Sequence, residues 1–143
     1  MSTALYHKQL MTLAKRATGA GRLEEYDATG RVDNPLCGDE ITLDVTLADG
    51  HVETFGHRVR GCMLCEASAS WMSEHGTGQD ADEVARIFTA LRALLREGEL
   101  DNPDGLWPEI EVFAPVHAAK SRHRCVLLPL EALLEVLGES VPE

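Results

Sequence analysis

The chain has 143 residues and a mass of 15.6 kDa, which is enough for one domain with its own hydrophobic core. Its 24 acidic and 13 basic residues give a formal net charge of -11, which argues against nucleic acid as the main partner, because phosphate binding needs a cationic face. No apolar run approaches membrane-spanning length or resembles a secretory signal. We therefore expect a single domain over residues 1–143 in the cytoplasm, where thiols stay reduced.

The first part of the chain predicts one helix and a hairpin. The expected elements are an amphipathic helix over residues 4–17, a short extended piece over 28–32, a strand over 41–47 and its partner over 51–60. Asn34-Pro35 indicates a loop before the first hairpin strand, where apolar and polar residues alternate with the period of a half-buried strand. Asp49-Gly50 is a strong two-residue hairpin turn.

The second part predicts three helices around a loop-rich stretch. The expected elements are a helix over residues 62–75, a helix over about 80–96, loops over 98–121 and a last helix over about 122–138. Pro129 is compatible only with the first turn of that helix or with a kink. The order of elements predicts an α+β domain in which a small antiparallel β-sheet packs against several helices.

Four residues in separate local frames have the chemistry of a metal site. They are Cys37 and Asp39 in Asn-Pro-Leu-Cys-Gly-Asp, Cys62 in Arg-Gly-Cys, and Cys125 in Arg-His-Arg-Cys. Three thiolates and one carboxylate are a complete tetrahedral ligand set for zinc, or a cradle for an iron–sulfur cluster. For Cys-Gly-Asp alone, a turn with a half-buried cysteine and a loop-bonded aspartate is an equal alternative.

Cys62 and Cys65 form a Cys-x-x-Cys pair at a strand-to-helix junction. The positive end of the helix dipole favours a thiolate at Cys62. The spacing suits a redox dithiol or half of a zinc site. Cys65 lies one turn into the helix among small apolar residues, so we expect it to be a packed core residue rather than a backup ligand or resolving thiol.

A basic cluster surrounds Cys125 in this otherwise acidic chain. The cluster consists of His117, Lys120, Arg122, His123 and Arg124, which precede Cys125. Cations lower the pKa of a nearby thiol and can pair with a persulfide or with an acidic partner surface. The alternative is a solvated helix start, which is the interpretation we favour for His117 taken alone. The remaining histidines occur singly without ligand spacing, and we expect them to be surface or internally bonded: His7, His51, His57 and His75.

Taken together, these frames resemble the U-type iron–sulfur cluster assembly family, which comprises IscU, SufU and the N-terminal domain of NifU. The resemblance covers about residues 4–138. It rests on the Asn-Pro-x-Cys-Gly-Asp frame of Cys37, on Gly61-Cys62 followed by Ala-Ser-Ala-Ser, and on Cys125 before a terminal Leu/Ala helix. It implies the SufE/NifU-like α+β fold.

Within that family the chain is most similar to the SufU branch. Cys62 and Cys125 are 63 positions apart, a separation that includes a helical and loop stretch of about residues 80–110 typical of SufU-type proteins. The residue before Cys125 is Arg124 where IscU-type proteins usually have histidine, and no Leu-Pro-Pro-Val-Lys-like motif is present. The chain departs from the family at Cys65, where a small residue without a thiol is usual.

The resemblance implies a zinc-bound sulfur acceptor that works with a SufS-like, pyridoxal-phosphate-dependent cysteine desulfurase. Zinc would be held by Cys37, Asp39, Cys62 and Cys125. Cys37 would accept the sulfur, with electrostatic support from Arg122, for delivery to a downstream scaffold or apo-protein. The alternative is a scaffold that transiently carries a [2Fe-2S] or [4Fe-4S] cluster on the same ligands. A third possibility is a zinc-stapled protein with an interaction role alone.

Overall fold

The computed structural model describes residues 3–36 and 38–142, with side chains described from His7 onward. In chain order the elements are α1 (Thr3–Arg16), β1 (Ala28–Asn34), β2 (Asp39–Ala48), β3 (His51–Arg60), α2 (Met63–Gly76), α3 (Ala81–Glu97), two 3₁₀ helices (Ile110–Ala118 and Lys120–Arg122) and α4 (His123–Val136). Among the residues described, no helix is both long and apolar enough to cross a bilayer.

The three strands form one antiparallel sheet in the order β1-β2-β3. Asp49 and Gly50 join β2 to β3, and both have positive φ (54° and 78°), as a two-residue turn that matches strand twist requires. The predicted α+β class is therefore confirmed. β1 is longer than expected, since its pairing with β2 continues to Asn34 opposite Asp39. This register brings the Cys-Gly-Asp frame to one end of the sheet.

The helices α1 to α4 enclose the core beside the sheet. α4 packs on β1 and β2, α2 packs between α1 and α4, and α3 packs on α4. Ala67 and Ala69 on α2 are fully buried, and the small size of such residues permits a close approach of helices. The hydroxyl of Ser68 donates to the carbonyl of Val126 at 2.5 Å, which fixes α2 against the first turns of α4. The beginnings of these two helices are thereby held together.

The expectation of loops over 98–121 is wrong for its second half, where the structure has a 3₁₀ helix. Ile110, Phe113 and Val116 are buried and recur every third residue, which matches the period of a 3₁₀ helix rather than an α-helix. Trp71 of α2 meets Phe113 edge to face at 5.4 Å and donates from its indole nitrogen to the Pro108 carbonyl. Tertiary packing on α2 therefore stabilises a segment whose proline content predicts a loop.

Pro129 lies inside α4, beyond its first turn, and is buried. A proline cannot donate the N–H that would reach the carbonyl four residues earlier, which here belongs to Cys125. The helix nevertheless continues to Val136. Its stability therefore comes from its buried apolar face rather than from an unbroken hydrogen-bond ladder.

A buried carboxylate, Asp44, ties the segment before β1 to the outer side of the sheet. Arg22 donates to it with Nε at 2.6 Å and Nη2 at 3.0 Å, and the Thr29 hydroxyl and the Leu23 amide donate as well. Burial raises the pKa of Asp44, but these hydrogen bonds outweigh burial and hold the pKa below its ordinary value. Asp44 is therefore a buried, ionised carboxylate that binds Arg22, although the strand alternation predicts an exposed polar residue at this position.

His57 of β3 is buried and holds the chain that follows α1. Its Nε2 lies 2.9 Å from the Thr18 carbonyl, which can only accept, so Nε2 carries the proton. Burial lowers the pKa of His57 below 6.5, and the hydrogen bond to Thr18 opposes that shift only in part. The expectation of an internally bonded histidine is confirmed at this position.

We expect His57 to make the fold less stable in mild acid. Below about pH 6.5 the unfolded chain binds a proton that the folded chain resists, so the free energy of unfolding falls as pH falls through this window, by at most about 1.4 kcal/mol per pH unit for one group. His57→Gln should show a shallower loss between pH 7 and pH 5 in denaturant titrations. His51→Gln at an exposed position is the matched control, and parallel curves for wild type and His57→Gln would contradict this role.

Candidate metal centre

Asp39, Cys62 and Cys125 come together at one end of the sheet. Asp39 begins β2, Cys62 caps the N-terminus of α2, and Cys125 lies in the first turn of α4. One ligand atom from each lies within 4.8 Å of the other two. Residues separated by up to 86 positions in sequence thus share one site. Cys37, the fourth predicted ligand, lies outside the described residues.

The Asp39 carboxylate is held by the backbone of the neighbouring helix start. Its Oδ1 accepts from the Cys62 amide at 3.1 Å, and the Cys62 thiol donates to its Oδ2 at 3.1 Å. Asp39 is almost fully buried, at 2% exposure. A turn residue that bonded only its own loop would not reach across to α2, so Asp39 does more than close its own turn, and its carboxylate lies beside the Cys62 sulfur.

Gly61 makes that arrangement possible. A Cβ at residue 61 would lie 2.5 Å from Asp39 Oδ1 and 2.6 Å from its Cγ, closer than a Cβ approaches nonbonded heavy atoms in proteins. Sequence reasoning placed Gly61 at a strand-to-helix junction without predicting this contact, because the contact partner is 22 residues away. The sequence signal for this close approach was a glycine directly before the candidate ligand Cys62.

The electrostatics of the site favour negatively charged sulfur. The N-termini of both α2 and α4 lie at the site, and the positive ends of their dipoles stabilise thiolates. The exposed Arg122 precedes Cys125 by three residues, and the charge of Cys62, followed by that of Cys125, raises the pKa of its guanidinium. Arg122 therefore contacts the same thiols that would bind a metal.

The three residues differ in exposure, so the site has an open side. Asp39 and Cys125 are buried, whereas Cys62 is half-buried. An apolar groove of about 370 Å³ between α1, α2 and the first 3₁₀ helix begins at Cys62 and Arg122. A partner or small molecule can therefore reach the sulfur of Cys62 from this groove.

Cys65 belongs to the hydrophobic core. Its side chain is fully buried on α2 within the main apolar cluster. Among the residues that the structure describes, the group of possible ligands around Asp39 does not include Cys65. The structure therefore agrees with packing as its role.

The donor set fits zinc. Zinc binds thiolate sulfur at about 2.3 Å and carboxylate oxygen at about 2.0–2.2 Å, so tetrahedral ligand atoms lie roughly 3.5–4 Å apart, within the observed grouping. Asp39, Cys62 and Cys125 would supply three of the four positions of a tetrahedral site, and Cys37, two residues before Asp39, is the expected fourth. Three thiolates and one carboxylate carry four negative charges, twice the positive charge of a zinc ion. Arg122 and the helix N-termini partly balance the excess negative charge.

A second group of possible ligands consists of Glu74, His75 and Glu109. The sequence did not single out this group, because Glu109 is distant along the chain. Arg16 already pairs with both carboxylates, at 3.0 Å to Glu74 and 2.7 Å to Glu109. A guanidinium therefore stands where a metal cation would, and we interpret the group as an ion-pair network that joins α1, α2 and the 3₁₀ segment.

Comparisons with known proteins agree with this architecture. The family model described as the NifU-like N terminal domain matches residues 5–100, more than half of the chain. The chain belongs to this family. Asp39 and Cys62 lie within the matched range, and Cys125 lies beyond it.

Two relatives of this NifU-like chain match it over most of their own length. The iron-sulfur cluster assembly scaffold protein IscU of Thermotoga maritima is 26% identical over 133 residues, which cover 93% of this chain and 92% of the relative. The zinc-dependent sulfurtransferase SufU of Bacillus subtilis is 28% identical over 129 residues, which cover 90% and 86%. The crystal structure of a NifU-like protein (N-terminal) from Brucella abortus superposes with a TM-score of 0.85 at 32% identity and covers 93% of this chain and 92% of that one.

Proposed function

We propose that this NifU-like protein serves iron–sulfur cluster biogenesis as a zinc-bound sulfur acceptor for a SufS-type, pyridoxal-phosphate-dependent cysteine desulfurase. The observation that carries the proposal is the grouping of Asp39, Cys62 and Cys125 at two helix N-termini beside Arg122. The likeness to a relative named as a zinc-dependent sulfurtransferase supports it. Because the site needs reduced thiols, we assign the protein to the cytoplasm.

In this proposal Cys37, Asp39, Cys62 and Cys125 hold the zinc. When bound, zinc supplies a redox-inert positive charge that keeps its ligand thiols deprotonated and tolerates exchange of ligands. Asp39 is a harder and weaker zinc ligand than a thiolate. A carboxylate in the set therefore makes the site easier to open than one built of four cysteines.

Cys37 is the proposed acceptor of sulfur. Its thiolate attacks the terminal sulfur of the persulfide on the desulfurase cysteine, the S–S bond of that donor breaks, and the donor cysteine leaves as a thiolate. The terminal sulfur, with its proton, is then bonded to Cys37 as a new persulfide. No electrons are gained or lost overall, so the transfer requires no further oxidant or reductant.

Arg122 is the proposed electrostatic support for this transfer. Its guanidinium interacts with the sulfurs of Cys62 and Cys125, and the residue is exposed, so it is accessible to an incoming partner. A fixed cation here stabilises the excess negative charge of the thiolates. The sulfur on Cys37 would then pass to a downstream scaffold or apo-protein.

The second candidate function is a scaffold on which an iron–sulfur cluster is assembled and handed on. It is favoured by the relatives named as IscU scaffold proteins, among them those of Thermotoga maritima and Streptococcus pyogenes. The same four residues would bind the cluster as cargo. The identity of the ligands therefore does not distinguish the sulfur acceptor from the cluster scaffold, and a chemical assay is needed to distinguish them.

The test is to locate the transferred sulfur. The zinc-loaded protein is incubated with the SufS-type desulfurase of its own organism and L-cysteine, alkylated, and mapped by mass spectrometry. We expect the additional sulfur on Cys37. Sulfur mainly on Cys125 would contradict this acceptor, and the absence of any persulfide together with iron–sulfur absorbance after anaerobic reconstitution would support the scaffold instead.

A further inference from the structure

One apolar side chain of this protein is almost entirely in water. Leu36 is 94% exposed, whereas the other large exposed apolar residues, Tyr26 and Val141, retain more than half of their contact with the protein at 44% and 39% exposure. This comparison covers the residues whose side chains are described. A single exposed leucine is common, so its exposure alone carries no conclusion. Its position next to Cys37 is what gives the exposure meaning.

The backbone around Leu36 is anchored even though its side chain is not packed. Asn34 is buried at 1% exposure, and its Oδ1 accepts the Leu36 amide at 3.2 Å. The Gly38 amide donates to the Asn34 carbonyl at 2.8 Å, and Gly38 has φ 77°, which a glycine adopts without strain. A side chain–backbone bond of this kind fixes a turn. The connection between β1 and β2 therefore holds Leu36 outward at the end of the sheet that carries the metal centre.

We propose that Leu36 is the hydrophobic anchor by which this protein docks on the cysteine desulfurase, in an apolar pocket beside the persulfide-bearing cysteine. The proposal rests on the acceptor role of Cys37. It adds the chemistry of the contact: the partner surface next to its cysteine is apolar, and the anchor is a residue that takes no part in the transfer of sulfur.

The geometry of sulfur transfer brings Leu36 close to the partner. A sulfur–sulfur bond is about 2.05 Å long, and consecutive Cα atoms are about 3.8 Å apart. When the Cys37 sulfur reaches a persulfide on the partner, the backbone of the adjacent Leu36 lies close to the partner surface, and its exposed side chain is available for contact. A side chain that is 94% exposed before docking then loses its water, and the burial of apolar area favours association.

The experiment compares variants at Leu36 with a matched control. The full-length, zinc-loaded protein is titrated into the SufS-type desulfurase with L-cysteine, and KM for the protein and kcat are measured separately. We expect Leu36→Ser to raise KM about tenfold or more, equivalent to about 1.4 kcal/mol, with kcat, zinc content and melting temperature unchanged. Leu36→Met should restore most of the affinity, because it is apolar and of similar volume. Val141→Ser is the matched control, because it also replaces an exposed apolar residue with serine. Val141 precedes Pro142, whose carbonyl accepts a hydrogen bond from Arg92 of α3, and the variant should leave KM unchanged.

The outcomes separate this inference from the proposed function. If sulfur appears on Cys37 and Leu36→Ser has the KM of wild type, the docking role of Leu36 is wrong, while the acceptor role of Cys37 is retained. A fall in kcat with unchanged KM for Leu36→Ser would also contradict the docking role, since it would show that Leu36 acts in the transfer step. If wild-type protein acquires no sulfur on Cys37, the acceptor role fails and the anchor fails with it.

Discussion

Replacing Cys125 with alanine is expected to remove the zinc and to lower the melting temperature by about 10 °C. Cys125 is fully buried, and its sulfur is grouped with Asp39 and Cys62 from two other elements. A metal at this site links β2, α2 and α4, so its binding free energy is also folding free energy. A loss of about 3–5 kcal/mol corresponds to roughly this change in melting temperature for a chain of this size. Metal analysis of purified protein and thermal unfolding measure the two effects together.

Cys65→Ala is the matched control for this prediction. It makes the same chemical change at a fully buried cysteine of α2 that lies outside the ligand group. We expect wild-type zinc content and a destabilisation of about 1–2 kcal/mol from the small cavity alone. Full zinc retention with unchanged melting in Cys125→Ala, or loss of zinc in Cys65→Ala, would contradict the proposed ligand set.

Replacing Cys37 with alanine is expected to lower the stimulation of the desulfurase by about 100-fold or more. The variant lacks the sulfur atom that would form the new S–S bond, and no other group in the proposal takes its place as nucleophile. Desulfurase turnover with L-cysteine, measured at saturating protein, reports this loss. Mass spectrometry of the variant should find no persulfide on the remaining cysteines.

Cys37→Ala removes a proposed zinc ligand as well as the proposed acceptor, so Asp39→Ala is needed beside it. Asp39 is also a proposed ligand, but its carboxylate accepts no sulfur. We expect Asp39→Ala to exchange zinc faster than wild type and still to carry persulfide on Cys37. Equal loss of stimulation in both variants would show that an intact metal centre, rather than the Cys37 thiol, is what the desulfurase requires.

Local sequence patterns were sufficient for most of the secondary structure. The alternation before Asp49-Gly50 predicted β2 and the hairpin, because strand period and turn chemistry are both local properties. The negative charges expected at the start of α3 include its N-cap, where Asp80 accepts the Glu83 amide at 3.0 Å. The 3₁₀ segment around Phe113 was missed because its stability depends on Trp71, which is 42 residues away.

The candidate site was predictable as a set of residues but not as an arrangement. Residue chemistry and local frames singled out Asp39, Cys62 and Cys125, and the structure brings these three together. The close approach of Gly61 to Asp39 could not be predicted, since it depends on how the end of β3 meets the start of β2. The role of Asp44 was hidden for the same reason: alternation places it on the outer face of the sheet, and only the fold shows that Arg22 covers it.

The positions of the candidate ligands along the chain determine when the site can bind a metal during protein synthesis. Asp39 and Cys62 are synthesised well before Cys125, which follows Asp39 by 86 positions and is positioned by α4. A nascent chain therefore lacks a complete ligand set until α4 has been synthesised. Metal held by these residues would be bound only after α4 has packed against the sheet, and a chain truncated within α4 could not retain it.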